Sequence, residues 1–173
     1  MTRLLLAPRH PERFDAVAQL AERNGFAVGR RTLPSTSREA AVLILDTVGE
    51  LATVYRFAAI AFVGGSLVRH GGHSILEPAM YAKAIVTGPS MENFRQIVEE
   101  FRAHGGIRQI VAEEENRSQQ IQQLLDVFLQ LLQNAKERNE LGKTALSLLE
   151  KNRGATERTS RVMAAVFEEL RGK

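Results

Sequence analysis

The side chains and glycines best suited to holding a ligand crowd into one stretch, Ala61 to Glu77, AFVGGSLVRHGGHSILE. Gly64-Gly65-Ser66 follows a short apolar run, and a second pair, Gly71-Gly72, opens a segment with helical spacing that carries His73, Ser74 and Glu77. Glycine has no side chain to hold a ligand off and adopts positive φ, so such a loop lets backbone N–H groups approach an anion. A helix N-terminus beside it adds a favourable dipole for the same charge. A tight strand-to-helix connection that binds nothing uses the same residues. Glu77 also has two readings. Ser74-x-x-Glu77 spells a capping box, but Pro78 has no N–H to complete a turn begun at Ser74 and sits better as the first helical residue, leaving Glu77 at the helix mouth.

Other candidates stand further apart. Arg9 and His10 follow the apolar run Leu4-Leu5-Leu6-Ala7, where a guanidinium and an imidazole suit a phosphate, or equally a surface salt bridge. Glu50 follows Gly49 in what reads as the first turn of a helix, a place favourable to a carboxylate with or without a ligand. His70 and His73 are three apart, yet no third ligand lies near in sequence, so no metal is expected. His104 reads as a helix-end surface residue and Glu113-Glu114-Glu115 as a solvated acidic turn.

The elements that hold these residues follow from periodicity. Continuous aliphatic runs at 4–7, 42–45, 60–63 and 84–87, with weaker ones at 26–31 and 107–111, alternate with helical patterns. Phe14, Val17, Ala18 and Leu20-Ala21 mark one helix, entered at Pro11 and stopped at Asn24-Gly25; a second runs from Val48 to Ala58, a short third carries Leu76, Ala79 and Met80, and a fourth spans roughly 91–104. Buried runs bounded by turn residues and separated by helices predict parallel strands covered on both faces, a Rossmann-like doubly wound sheet. Ligands of such sheets bind beyond the C-terminal ends of the strands, which is where Arg9, His10, Asp46 to Glu50, Gly64 to Glu77 and the residues from Gly88 onward fall. From Arg117 the pattern is helical only, a tail over about 117–173. Ile121, Leu124, Leu125, Phe128, Leu132 and Ala135 form one stripe, Leu141, Ala145, Leu148 and Leu149 another, and a last helix carries Val162, Ala165, Val166 and Leu170 after a break at Asn152-Arg153-Gly154-Ala155.

Composition narrows the class. A chain of 173 residues, 44% hydrophobic and 25% charged, suits one globular domain. No run approaches the ~20 apolar residues of a membrane span. Without cysteine, disulfides and thiolate zinc sites are excluded. Residues 1–38 hold seven arginines and three acids, while the rest of the chain is close to neutral. That basic end is too sparse, and too poor in interleaved aromatics, to indicate a nucleic-acid binder. An NAD-type oxidoreductase is disfavoured, because Pro8-Arg9-His10-Pro11 stands after the first strand where G-x-G-x-x-G is needed.

Three ordered motifs are more specific than any single glycine loop. Pro8-Arg9-His10-Pro11-Glu12-Arg13-Phe14, Asp46-Thr47-Val48-Gly49-Glu50-Leu51, and Phe62-Val63-Gly64-Gly65-Ser66-Leu67 with His70-Gly71-Gly72-His73 and Leu76-Glu77-Pro78-Ala79 together resemble the 3-deoxy-D-manno-octulosonic acid (Kdo) transferases. The resemblance runs on through Asn93-Phe94 and the Asn152 to Ala155 region. It implies the C-terminal half of a GT-B glycosyltransferase. It also implies transfer of Kdo from CMP-Kdo to a lipid A precursor, with inversion, at the cytoplasmic face of the bacterial inner membrane. Arg9 and His10 would meet the CMP phosphate, Glu77 the ribose hydroxyls, and Ser66 with the N–H groups of Gly64 and Gly65 the phosphate or the Kdo carboxylate. Gly49, Glu50, His73 and Ser74 would complete the donor side. Ser74-Ile75 departs from the Asn-Pro usual in the family, which puts the contact of that Asn in doubt. The family's membrane anchor, and its acceptor domain with the glutamate taken as base, have no counterpart before Met1. The expectation is therefore one donor-binding domain over 1–173, without catalytic residues, cofactor or metal, and inactive by itself. The acceptor and the membrane surface would be engaged by the rest of the parent protein. The alternatives are a GT-B transferase or epimerase using another nucleotide-sugar, and a non-catalytic binding or assembly module.

Overall fold

The computed structural model describes the backbone of residues 2–36, 38–111 and 116–171, and the side chains of these apart from 155–159, 161–162, 165–166 and 168–171. The chain divides into two compact units, 1–54 and 55–173.

In the first unit β1 (Leu4–Leu6), β2 (Val28–Arg30) and β3 (Val42–Ile44) pair in parallel in the order β1-β3-β2. Leu4 and Val28 both stand opposite Val42. Helix α1 (Phe14–Arg23) follows a 3₁₀ turn that begins at Pro11 and ends where Gly25 takes φ 81°. It buries Ala18 and Ala21 against Val42 and Ile44, with Leu6, Val17 and Val28 at the edge. Strand β2 is shorter than the pattern over 26–31 suggests: Phe26 is 53% exposed and its N–H donates to Ala21 O at 3.2 Å, back to α1. Helix α2 (Leu51–Val54) closes this unit.

The second unit begins with a 3₁₀ turn at Tyr55–Phe57 and contains β4 (Ile60–Val63), α3 (Leu76–Met80), β5 (Ala84–Thr87), α4 (Arg95–Ala103), β6 (Arg108–Gln109), α5 (Arg117–Gln133) and α6 (Ala135–Arg171). Its strands are parallel in the order β4-β5-β6, and every residue of β5 is buried. Alternation along β5 sends neighbouring side chains to opposite faces. Ile85 joins Val63, Ile75, Ala79, Phe101, Ala145 and Leu148 in one core cluster, while Ala84 and Val86 join Leu131 and Leu141 in another. Helices therefore cover both faces of this sheet, the doubly wound layering expected, although the six strands pair as two ladders of three.

The helical tail differs from its sequence pattern in two ways. Helix α5 buries Gln120 and Leu131 and half-buries Leu124, Val127 and Phe128, whereas Ile121, Leu125 and Leu132 of the expected stripe stay exposed. The period is right and the buried face is rotated. Helix α6 is continuous across Asn152 to Ala155, where a break was expected. A helical glycine costs only about 1 kcal/mol relative to alanine, and the Asn152 amide donates to Glu100 Oε2 at 3.2 Å. The side chains of Val162, Ala165, Val166 and Leu170, and the acidic run 113–115, lie outside the described residues.

Candidate functional site

The glycine segment belongs to the second unit. Strand β4 ends at the buried Val63 and delivers Gly64, which is exposed, and Gly65, which is half-buried at φ 68°. A side chain on Gly65 would press on the His73 ring, whose Nε2 lies 3.3 Å from the position of its Cβ. Ser66 is fully buried. Its hydroxyl donates to Val63 O at 2.5 Å and accepts from the Gly88 N–H at 2.8 Å, so it braces two strand ends and is not presented to a ligand.

The second glycine pair is also committed inward. Gly71 and Gly72 are buried at φ 75° and 70°, and their N–H groups donate to Ser90 Oγ at 3.3 Å and to Gly65 O at 3.1 Å. Glycine is needed there for the backbone and for space, since a Cβ on Gly72 would meet Met91 Sδ at 2.2 Å. Both N–H groups thus have partners within the fold. The helix behind them spans only five residues, Leu76–Met80, too short for an appreciable dipole.

Helix α3 settles the two readings of Glu77. The capping box does not form: Ile75 is the N-cap without a side-chain bond, and Ser74 Oγ instead accepts from the Leu76 N–H at 3.2 Å, a local turn. Pro78 is the third helical residue, two positions later than expected, so Glu77 stands inside the first turn. The Glu77 carboxylate is thus exposed and free of capping duty, with Tyr55 close enough to feel it. Burial pushes the half-buried Tyr55 phenol above its ordinary range, and the negative charge of Glu77 adds to the shift.

In the first unit Arg9 is exposed just beyond β1, with no hydrogen bond or ion pair among the described residues, and His10 Nδ1 lies 3.7 Å from Glu12 Oε1. Gly49 takes φ 86° and turns the chain into α2. Both oxygens of Glu50 are engaged, Oε1 by Arg31 Nη2 at 3.1 Å and Oε2 by Arg31 Nε at 3.1 Å and the Thr47 hydroxyl at 2.7 Å. The fork of Arg31 is therefore oriented by a carboxylate. Beside it Asp46 accepts from Thr32 twice, from N–H at 3.0 Å and Oγ1 at 2.5 Å. Partial burial pushes the Asp46 carboxyl up, but these bonds outweigh it and hold it below the usual range. Sequence reasoning missed Arg31 and Thr32, although they follow β2 as Arg9 follows β1. It also missed Gln120; Ser90 and Asn93 fall in the stretch from Gly88 onward that the sequence marks as a strand end, but that they and Gln120 reach the glycine segment from 19 to 53 residues away is signalled by no local spacing. Among the described residues no three His, Asp or Glu side chains gather as a metal set.

The fold has a counterpart of known structure. The C-terminal CMP-Kdo binding domain of WaaA from Acinetobacter baumannii superposes with a TM-score of 0.76 at 32% identity, covering 85% of this chain and 73% of that one. The architecture is therefore that of the C-terminal half of a GT-B glycosyltransferase. No protein-family model matches the chain. The 3-deoxy-D-manno-octulosonic acid transferases of Haemophilus influenzae and Bordetella pertussis are 38% and 33% identical to it over 90% of its length. That of Chlamydia trachomatis is 31% identical over 94%. The chain belongs to the Kdo transferase family. It spans about a third of the length of these curated relatives, 35–36% of each.

Proposed function

We propose that the chain holds CMP-Kdo and is the donor-binding part of a transferase that passes Kdo to a lipid A precursor at the cytoplasmic face of the bacterial inner membrane. The observation that carries this reading is the agreement, at 32% identity and a TM-score of 0.76, with a domain described as binding CMP-Kdo. The exposed, uncapped Glu77 supports it, since a free carboxylate at a helix mouth is what accepting from two ribose hydroxyls requires. Glu77, Gly64 and the Gly65 backbone are assigned to the donor in the second unit, with His73 and Ser74 shaping that loop through Gly65 and Leu76 and Ser66 bracing it. Arg9, His10, Gly49 and Glu50 are assigned on the resemblance, Glu50 as the group that aims Arg31. The departing CMP is the charge to be stabilised.

The chain alone is expected to bind donor without turning it over. Inverting transfer needs a base at the acceptor hydroxyl and a surface that holds it within about 3–3.5 Å of the anomeric carbon. Both oxygens of Glu50 already carry hydrogen bonds. Among the described residues no helix is long and apolar enough to cross a membrane; membrane and acceptor contacts are assigned to the rest of the parent.

Calorimetric titration with CMP, UMP and 2′,3′-dideoxy-CMP tests the reading. CMP should bind tightest, and both Glu77→Ala and removal of the ribose hydroxyls should weaken it by about tenfold or more, the scale of hydrogen bonds to a charged group. Equal affinity for CMP and its dideoxy analogue would sink the role of Glu77. Preference for UMP would favour a different nucleotide-sugar, and no nucleotide binding with stable oligomers a non-catalytic module.

A further inference from the structure

The loop beyond β5 grips the glycine segment at several backbone atoms. The Ser90 N–H donates to Ser66 O at 2.9 Å, and Ser90 Oγ accepts from Gly71 N at 3.3 Å while donating to Glu92 Oε2 at 2.7 Å. The Asn93 N–H donates to Gly71 O at 3.2 Å and its side-chain amide to His70 O at 3.3 Å. The same amide fills the space beside Gly71, where a Cβ would come within 2.3 Å of Asn93 Nδ2. The groups that fix positive φ at Gly71 thus come from residues about twenty positions later, and Gly72 in turn donates to Gly65 O at 3.1 Å.

We propose that Asn93, seconded by Ser90, is a positioning residue: it sets the shape of the 64–72 loop and through that shape the affinity for the donor. The inference rests on the donor-site reading above and adds to it a residue that acts through backbone rather than by touching the nucleotide. Asn93 is exposed, so its truncation opens no cavity in the core. Its main-chain bond to Gly71 survives any substitution; what is lost is the amide bond to His70 O and the wedge against Gly71. Preorganisation of the loop is what then falls, and with it binding.

The test uses the whole chain. Nitrogen–proton correlation spectra of Asn93→Ala, without nucleotide, should move or broaden the amide signals of Gly65, Gly71 and Gly72, with those of β5 and α4 in place. CMP titration of the same variant should give a Kd raised about tenfold, the scale of one hydrogen bond to a preorganised loop. Ser90→Ala, which removes a different bond to Gly71, should give the same signature, and it decides the matter should Asn93→Ala perturb the fold. Unmoved glycine amides with a Kd within about twofold of the unsubstituted chain in both variants would overturn the inference and leave the donor reading standing. Failure of the unsubstituted chain to bind CMP would overturn the donor reading and the affinity half of the inference, while the glycine signals still decide whether Asn93 shapes the loop.

Discussion

Replacing Ser66 by alanine separates a brace from a ligand contact. The side chain is fully buried and its hydroxyl makes two bonds, to Val63 O at 2.5 Å and from Gly88 N at 2.8 Å. Truncation removes both and leaves the Gly88 N–H, itself buried, without its acceptor. An unpaired buried donor costs about 1–3 kcal/mol, and a lost neutral hydrogen bond about 1. The carbonyl keeps a second lone pair and suffers less. A net loss of roughly 2–4 kcal/mol follows. With a urea slope of about 2 kcal/mol per molar for a domain of this size, the unfolding midpoint should fall by about 1–2 M. Tyrosine emission is a suitable probe, because Tyr55 and Tyr81, the two tyrosines of the chain, both lie in the second unit. CMP affinity should fall less than in Glu77→Ala, since the hydroxyl acts only through the loop. An unchanged midpoint combined with abolished CMP binding would refute the brace and make Ser66 a direct ligand.

Three further outcomes are expected. Gly142→Ala should destabilise the second unit by about 1–3 kcal/mol despite alanine's better helix propensity, because its Cβ would lie 2.0 Å from Ala82 O, a backbone atom in a turn where Ala82 takes φ 51°; thermal unfolding reads the sign. Thr87→Val should stabilise the same unit by about 1 kcal/mol and so raise its thermal midpoint, since Thr87 Oγ1 is buried with no partner among the described residues and valine keeps the shape. Tyr55 should titrate above about pH 10 by tyrosinate absorbance, and Glu77→Gln should lower it only in part, because burial remains. The unfolded chain releases that proton first, so the contribution of Tyr55 to stability is full below about pH 10 and falls as pH rises towards the folded value.

Much of the fold was legible in the local pattern. The runs at 42–45, 60–63 and 84–87 became β3, β4 and β5 almost residue for residue, because strands buried on both faces must be continuously apolar. The weaker runs gave shorter strands, β2 and β6, where Phe26 and Val111 remain exposed at 53% and 69%. Periodicity also placed α5 correctly, but not its inward face. Two apolar stripes lie side by side on that helix, and only the position of β4 and β5 selects Leu131 over Leu132.

The sequence by itself determined that glycine stands at 65, 71 and 72, that Glu77 opens a helix and that Arg9 and His10 follow a strand, since each depends on neighbours within a few residues. What each group is free to do was decided by the tertiary structure. Ser66 and Glu77 read alike as ligand candidates, yet the first meets Gly88 from the next strand end and is consumed, while the second loses its capping partner to the Leu76 N–H and stays exposed. Hydrogen-bonding capacity is finite, and the group that takes up that of Ser66 lies 22 residues away at Gly88, which no local spacing encodes.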